Sequence, residues 1–193
     1  MSKYLIIILT AFMASCGHPQ YKDPHVVIET TFGDIELELY PGKAPKTVAA
    51  FLANIDAGVY KNASFYRVLK AEDLPTDFNT GIIQGGVWKG ENLSAKPLHG
   101  IDHESTKQTG LSHIDGTISM ARKDTGTATT EFFICIGDQS SLDFGRKGNP
   151  DGQGYAAFGT VFKGMDIVRK IQAQKSSGEN FLNKIEIRSI RKI

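Results

Sequence analysis

Several short stretches of this chain place polar groups inside apolar runs, which costs free energy unless each polar group is paired or at work. In Phe65-Tyr66-Arg67-Val68-Leu69, strand alternation puts Phe65, Arg67 and Leu69 on one face. An arginine there either reaches solvent or a carboxylate from an edge strand, or offers a rigid fork of N–H donors to a ligand. In Ile82-Ile83-Gln84-Gly85-Gly86 a glutamine follows two β-branched residues, and two glycines let another backbone or a ligand come close. Gly116-Thr117-Ile118-Ser119-Met120-Ala121 is followed after nine residues by Glu131-Phe132-Phe133-Ile134-Cys135, and Gly154-Tyr155-Ala156-Ala157-Phe158-Gly159 completes the set. Taken singly, each of these last three reads as a core strand.

The elements that must position these residues are mostly strands. Val26 to Thr31 and Ile35 to Tyr40, joined by Phe32-Gly33-Asp34, predict a hairpin with Ile35, Leu37 and Leu39 on its buried face. Further strand candidates are Ala63 to Leu69, Ile82 to Gly85, Thr117 to Ala121, Phe132 to Ile136, Ala156 to Phe162 and Lys184 to Arg188. Pro45 followed by Val48, Phe51, Leu52 and Ile55 predicts a helix over 45–57 that stops at Gly58. Ile167, Val168 and Ile171 predict a second over 165–174, ended by Ser176-Ser177-Gly178. About eight short strands with two helices imply a mainly β barrel or sandwich with helical caps.

The bulk composition agrees. A chain of 193 residues, 40% hydrophobic, suffices for one sizeable core. With 22 Lys and Arg against 21 Asp and Glu, and no block of like charge, nothing points to nucleic acid. The 20 glycines lie mostly beside Asp, Asn, Lys or Thr, as in a chain with many tight turns.

Together, in this order and spacing, the stretches resemble the cyclophilin family of peptidyl-prolyl isomerases over about residues 26 to 191. Phe65-Tyr66-Arg67-Val68 is similar to its Phe-His-Arg-Val or Phe-Tyr-Arg-Val strand, and Ile83-Gln84-Gly85-Gly86 to its Gln-Gly-Gly segment. Ser119-Met120-Ala121 with Phe132-Phe133-Ile134 resembles its Ser-Met-Ala and Gln-Phe-Phe-Ile pair, and Ala157-Phe158-Gly159 its Val-Phe-Gly strand. The resemblance implies a closed eight-stranded antiparallel β-barrel capped by two α-helices, and an enzyme needing no cofactor and no metal.

It also implies roles. Arg67 and Gln84 would be catalytic, the first as donor to the prolyl nitrogen and the second on the substrate carbonyl. Phe133, Ile82 and Leu142 would grip the proline ring with Met120 nearby. Ala121 and Arg122 would line the adjoining groove, and Phe65, Glu131 and Tyr155 would complete the substrate-binding surface. Glu131 stands where the family usually has Gln, and near Arg67 it would either orient the guanidinium or hold it away from substrate. The alternative function is therefore a non-catalytic proline-peptide-binding module or holdase. Arg122 replaces the usual Asn, Ser141 the usual aromatic residue, and Gly81 a common pocket Phe. The stretch Lys70 to Thr80 is longer than the usual turn.

Outside these motifs, His99, His103 and His113 lie in a Gly- and Thr-punctuated stretch and read as turn or surface residues rather than ligands. Asn149-Pro150-Asp151-Gly152-Gln153-Gly154 reads as a turn. Cys135, in an apolar run, reads as a buried, inert thiol. Met1-Ser2-Lys3, the apolar run Tyr4 to Met13 and the small residues Ala14-Ser15-Cys16 look like a secretory signal over residues 1–16. Met13-Ala14-Ser15-Cys16 resembles a bacterial lipobox, which implies lipidation of Cys16. Residues 17–24 read as a tether and 25–193 as the folded domain. The expected picture is an exported monomer, lipid-anchored to a bacterial membrane and facing the periplasm, with proline-containing peptides and unfolded exported proteins as partners.

Overall fold

A computed structural model of the chain describes residues 21–71, 80–87 and 99–193. Cys16 and the proposed signal lie outside the described residues, as does most of the stretch from Lys70 to Thr80.

The expected hairpin is present as β1 (His25–Thr30) and β2 (Gly33–Leu39), with Ile35, Leu37 and Leu39 fully buried between the partly buried Glu36 and Glu38. There follow β3 (Ser64–Lys70), β4 (Gly81–Gly86), β5 (Thr117–Met120), β6 (Phe132–Ile136), β7 (Ala156–Lys163), β8 (Ser176–Ser177) and β9 (Asn180–Lys192). The strands run in the order β1-β2-β7-β5-β6-β4-β3-β9, every pairing is antiparallel, and β9 returns to pair with β1. Eight strands thus close into a barrel without free edges. The two-residue β8 is an arm folded back on the start of β9.

Helices cap the barrel. In α1 (Pro45–Asp56) the proline supplies a preset φ at the first position and Thr47, Val48 and Phe51 are buried. No residue beside its N-terminus caps it; the carboxylate of Glu104 accepts from the amides of Lys46 and Thr47 instead, at 3.1 and 2.8 Å. A single turn, α2 (Thr106–Thr109), lies between β4 and β5, and α3 (Met165–Gln172) buries Val168 and Ile171.

Two departures from the sequence reading concern the C-terminal region. The last strand has 13 residues, not the five of Lys184 to Arg188, because Phe181, Ile185, Ile187 and Ile190 all reach the core across irregular spacing. Ser176-Ser177-Gly178 is the β8–β9 hairpin rather than a helix end, turned by Gly178 at φ +54°.

Apolar side chains fall into two clusters. The larger fills the barrel, around Phe51, Phe65, Phe132 and Phe158. The smaller lies on the outer face, with Ile82, Phe133 and Cys135 buried against Leu69, Ala121, Leu142 and Tyr155.

Candidate active site

Strand alternation sends Ile83, Phe132 and Ile134 into the barrel and Ile82, Gln84, Phe133 and Cys135 to the outer face. In β3 the alternation is broken. The pairing with β4 slips between Phe65 and Arg67, so that Phe65 opposes Gly85 and Arg67 opposes Gln84. This bulge lets consecutive residues Tyr66 and Arg67 both face outward, with Phe65 and Val68 inside. Registers then align Arg67, Gln84, Phe133 and Ser119 as one row across β3, β4, β6 and β5.

Arg67, Gln84 and Phe133 of that row line a groove of about 490 Å³ together with, among others, Ile82, Leu142 and Tyr155. A second hollow of about 200 Å³ shares Gln84, Ala121, Arg122 and Lys123 with it and adds Thr127, Thr129 and Glu131. The apolar end is held rigidly. Tyr155 packs edge-on against Phe133, centroids 5.3 Å apart, and His113 lies nearly parallel to Phe133 at 5.8 Å. His113 is wholly buried. In its neutral form Nδ1–H donates to Asp143 at 2.6 Å and Nε2 accepts from the Ser119 hydroxyl at 3.0 Å. Burial lowers its pKa against the opposing pull of Asp143.

At the polar end, the Arg67 guanidinium donates from Nη1 to Gln84 Oε1 at 2.8 Å and from Nε and Nη2 to Glu179 Oε2 at 2.9 and 2.7 Å. Gln84 Nε2 donates to the Tyr66 hydroxyl at 2.9 Å, and Tyr66 donates to Glu131 Oε2 at 2.6 Å. Burial, reinforced by Glu131, raises the Tyr66 pKa, so the phenol stays protonated. The Arg122 side chain is only 1% exposed. It is paired bidentately with Asp151 at 2.7 and 3.0 Å and lies over the Tyr155 ring at 5.3 Å.

Eight of the eleven residues named from sequence line the groove: Arg67, Gln84, Ile82, Ala121, Arg122, Phe133, Leu142 and Tyr155. Glu131 lines the second hollow and is linked to Arg67 through Tyr66 and Gln84. Two residues are corrected. Phe65 is fully buried inside the barrel because the bulge reverses its side relative to Arg67, and Met120, 1% exposed, points inward with Ile118 by ordinary alternation. Sequence reasoning gave Tyr66, Lys123, Gln139, Glu179 and Asn180 no role. Tyr66 lay within a quoted motif, but nothing local marks Glu179, which β3–β9 pairing brings to Arg67 from 112 residues away.

Of the other candidates, His103 Nε2 meets the Gln153 carbonyl at 3.0 Å, and Asn149 accepts from the Asp151 amide within its turn. Cys135 is a free buried thiol whose pKa burial pushes up. Among the described residues, no group of three or more His, Cys, Asp or Glu is placed to hold a metal.

The model of the cyclophilin type peptidyl-prolyl cis-trans isomerase family matches residues 25–192. This chain belongs to that family. It is 34% identical over 167 residues to peptidyl-prolyl cis-trans isomerase A of Dickeya dadantii, covering 86% of this chain and 79% of the relative. It is 38% identical over 152 residues to the peptidyl-prolyl cis-trans isomerase cyp18 of Streptomyces antibioticus, covering 78% and 84%. A solved cyclophilin type isomerase of Cryptosporidium parvum superposes with a TM-score of 0.68 at 25% identity, covering 88% of this chain and 97% of that one. The same protein solved in the presence of the dipeptide Ala-Pro gives 0.66 at 26% identity, covering 86% and 96%. The closed barrel is the cyclophilin fold, and the chain is an isomerase of that class.

Proposed function

We propose that this cyclophilin accelerates rotation about X-Pro bonds in exported proteins, with Arg67 as the donor that stabilises the twisted bond. The peptide barrier of about 18 to 20 kcal/mol arises from delocalisation of the nitrogen lone pair into the carbonyl. As the bond twists, the nitrogen becomes pyramidal and its lone pair becomes a real acceptor. A fixed donor beside it therefore favours the transition state over either ground state.

The observation that carries this reading is the cross-strand row. It sets a guanidinium held by two acceptors next to an apolar pocket of Phe133, Ile82 and Leu142, with Gln84 between them. The pocket suits the proline ring; Gln84 is within reach of the carbonyl, and Ala121 and Arg122 border the path of the flanking chain. That a related isomerase was solved in the presence of Ala-Pro supports a proline-containing peptide as the ligand. The proposed setting outside the cytoplasm rests on the charged start, apolar run and lipobox-like Met13-Ala14-Ser15-Cys16, where Cys16 would carry the lipid anchor.

A protease-coupled assay on a proline peptide tests the chemistry. Wild type should accelerate isomerisation, and Arg67→Ala should lose about a hundredfold in kcat/KM or more. Equal rates for the two proteins would remove Arg67 from the mechanism. Binding of the peptide by wild type without any acceleration would turn the reading toward a non-catalytic module.

A further inference from the structure

We infer that Glu131 and Tyr66 are positioning residues: together they determine which way round the Gln84 amide faces and so hold Arg67 in its working orientation. This rests on the reading of Arg67 as the donor. A glutamine side chain can be turned end for end, since its oxygen accepts and its nitrogen donates, and only its partners choose between the two. Here every step has one polarity. A carboxylate only accepts, so the Tyr66 hydroxyl must donate to Glu131. The phenol oxygen then accepts from Gln84 Nε2, and Gln84 Oε1 is left facing Arg67 Nη1. Reversed, the amide would set its own NH2 against the guanidinium, donor against donor.

The seat of the carboxylate is built for it. Glu131 Oε1 accepts from the Val87 amide at 2.9 Å and from Thr130 Oγ1 at 3.0 Å. Gly86, at φ +146°, supplies the room: a Cβ there would lie 2.5 to 2.6 Å from three atoms of the Glu131 carboxyl group. At the far end Glu179 accepts from Nε and Nη2 of Arg67. The guanidinium is thus fixed from both sides before substrate arrives, and a donor already in place need not be ordered during the twist. In a Glu131→Gln protein the new amide can donate to Tyr66, which frees the hydroxyl to donate to Gln84 and permits the reversed orientation.

The test compares wild type with Glu131→Gln, Tyr66→Phe, their double variant and Arg67→Ala, measuring kcat and KM on one proline peptide. It adds 15N NMR of the Arg67 Nε–H and Gln84 side-chain amide. Glu131→Gln and Tyr66→Phe should each lose about tenfold in kcat with KM changed less than about twofold. The double variant should be no worse than the poorer single, since both break one chain. The Arg67 and Gln84 side-chain signals should shift or broaden in both singles while the backbone amide spectrum stays that of the folded barrel. Glu131→Gln at or above the wild-type rate, or fully multiplicative losses in the double variant, would overturn the inference. Arg67→Ala separates the two levels. If it retains the wild-type rate, the reading of Arg67 itself fails; if it is inactive while Glu131→Gln is fully active, only the positioning role fails.

Discussion

His113 and Arg67 anchor opposite ends of the groove by different means. Arg67 is charged and partly exposed, whereas His113 is sealed between Asp143, Ser119 and the Phe133 ring. Sealing lowers the pKa of His113 below the ordinary 6.5, despite the carboxylate of Asp143. The sign of the consequence is fixed. As pH falls through 6.5 the unfolded chain takes up a proton that the folded barrel refuses, so stability is full above that value and is lost below it. The depressed carboxyls of Glu29, Glu36, Asp102 and Asp138 act at lower pH, since their ordinary values are 4.5 and 3.8. Thermal midpoints should therefore begin to drop between about pH 6.5 and 5, by roughly 2 to 4 °C for each kcal/mol lost. His113→Asn, whatever its absolute midpoint, should lose that slope. An unchanged slope in the variant would show that other groups produce it.

The bulge in β3 and the hairpin of β8 and β9 converge on Arg67 at the scale of whole elements. The bulge turns the guanidinium outward, and β3–β9 pairing, continued into the turn before β9 by the 2.8 Å bond from the Val68 amide to the Glu179 carbonyl, brings the Glu179 carboxylate to meet it. This ion pair is exposed, 35% and 56% for the two side chains, so Glu179→Ala should cost less than about 1 kcal/mol of stability. Activity should fall further than that suggests, by about three- to tenfold in kcat/KM, because Arg67 loses one of its two anchors. Denaturant midpoints and the isomerase assay check the two halves of the prediction; a full rate would mean that Gln84 alone suffices. The two elements also differ in how legible they were. Ile82, Gln84 and Phe133 were readable through the resemblance of their motifs to the family's, and period-2 alternation does turn them outward in β4 and β6. Alternation misplaced Phe65, because a bulge inserts one residue without any mark in Phe65-Tyr66-Arg67. It offered nothing on Glu179, whose partner is set by closure of the barrel rather than by neighbours in sequence.

For the molecule as a whole, closure makes the first and last strands neighbours, with Val26 beside Lys192 and Ile28 beside Ile190. The row from Arg67 to Ser119 is thereby carried on a scaffold with no free edge, which suits a site whose groups must not shift as the bond twists. The segment that would tether this scaffold precedes β1. Cys16→Ser should accordingly move the protein from the membrane fraction to the soluble one without changing its isomerase rate, and a wild type that is already soluble would refute the anchor. The central claim, that Arg67 drives the rotation on a pocket built around Phe133, is tested most directly by exchange NMR on an Ala-Pro peptide held at saturation. Wild type should produce cis–trans exchange cross-peaks, and Arg67→Ala should bind the same peptide yet leave exchange at the rate of buffer. Exchange at the wild-type rate in the bound Arg67→Ala protein would contradict the account.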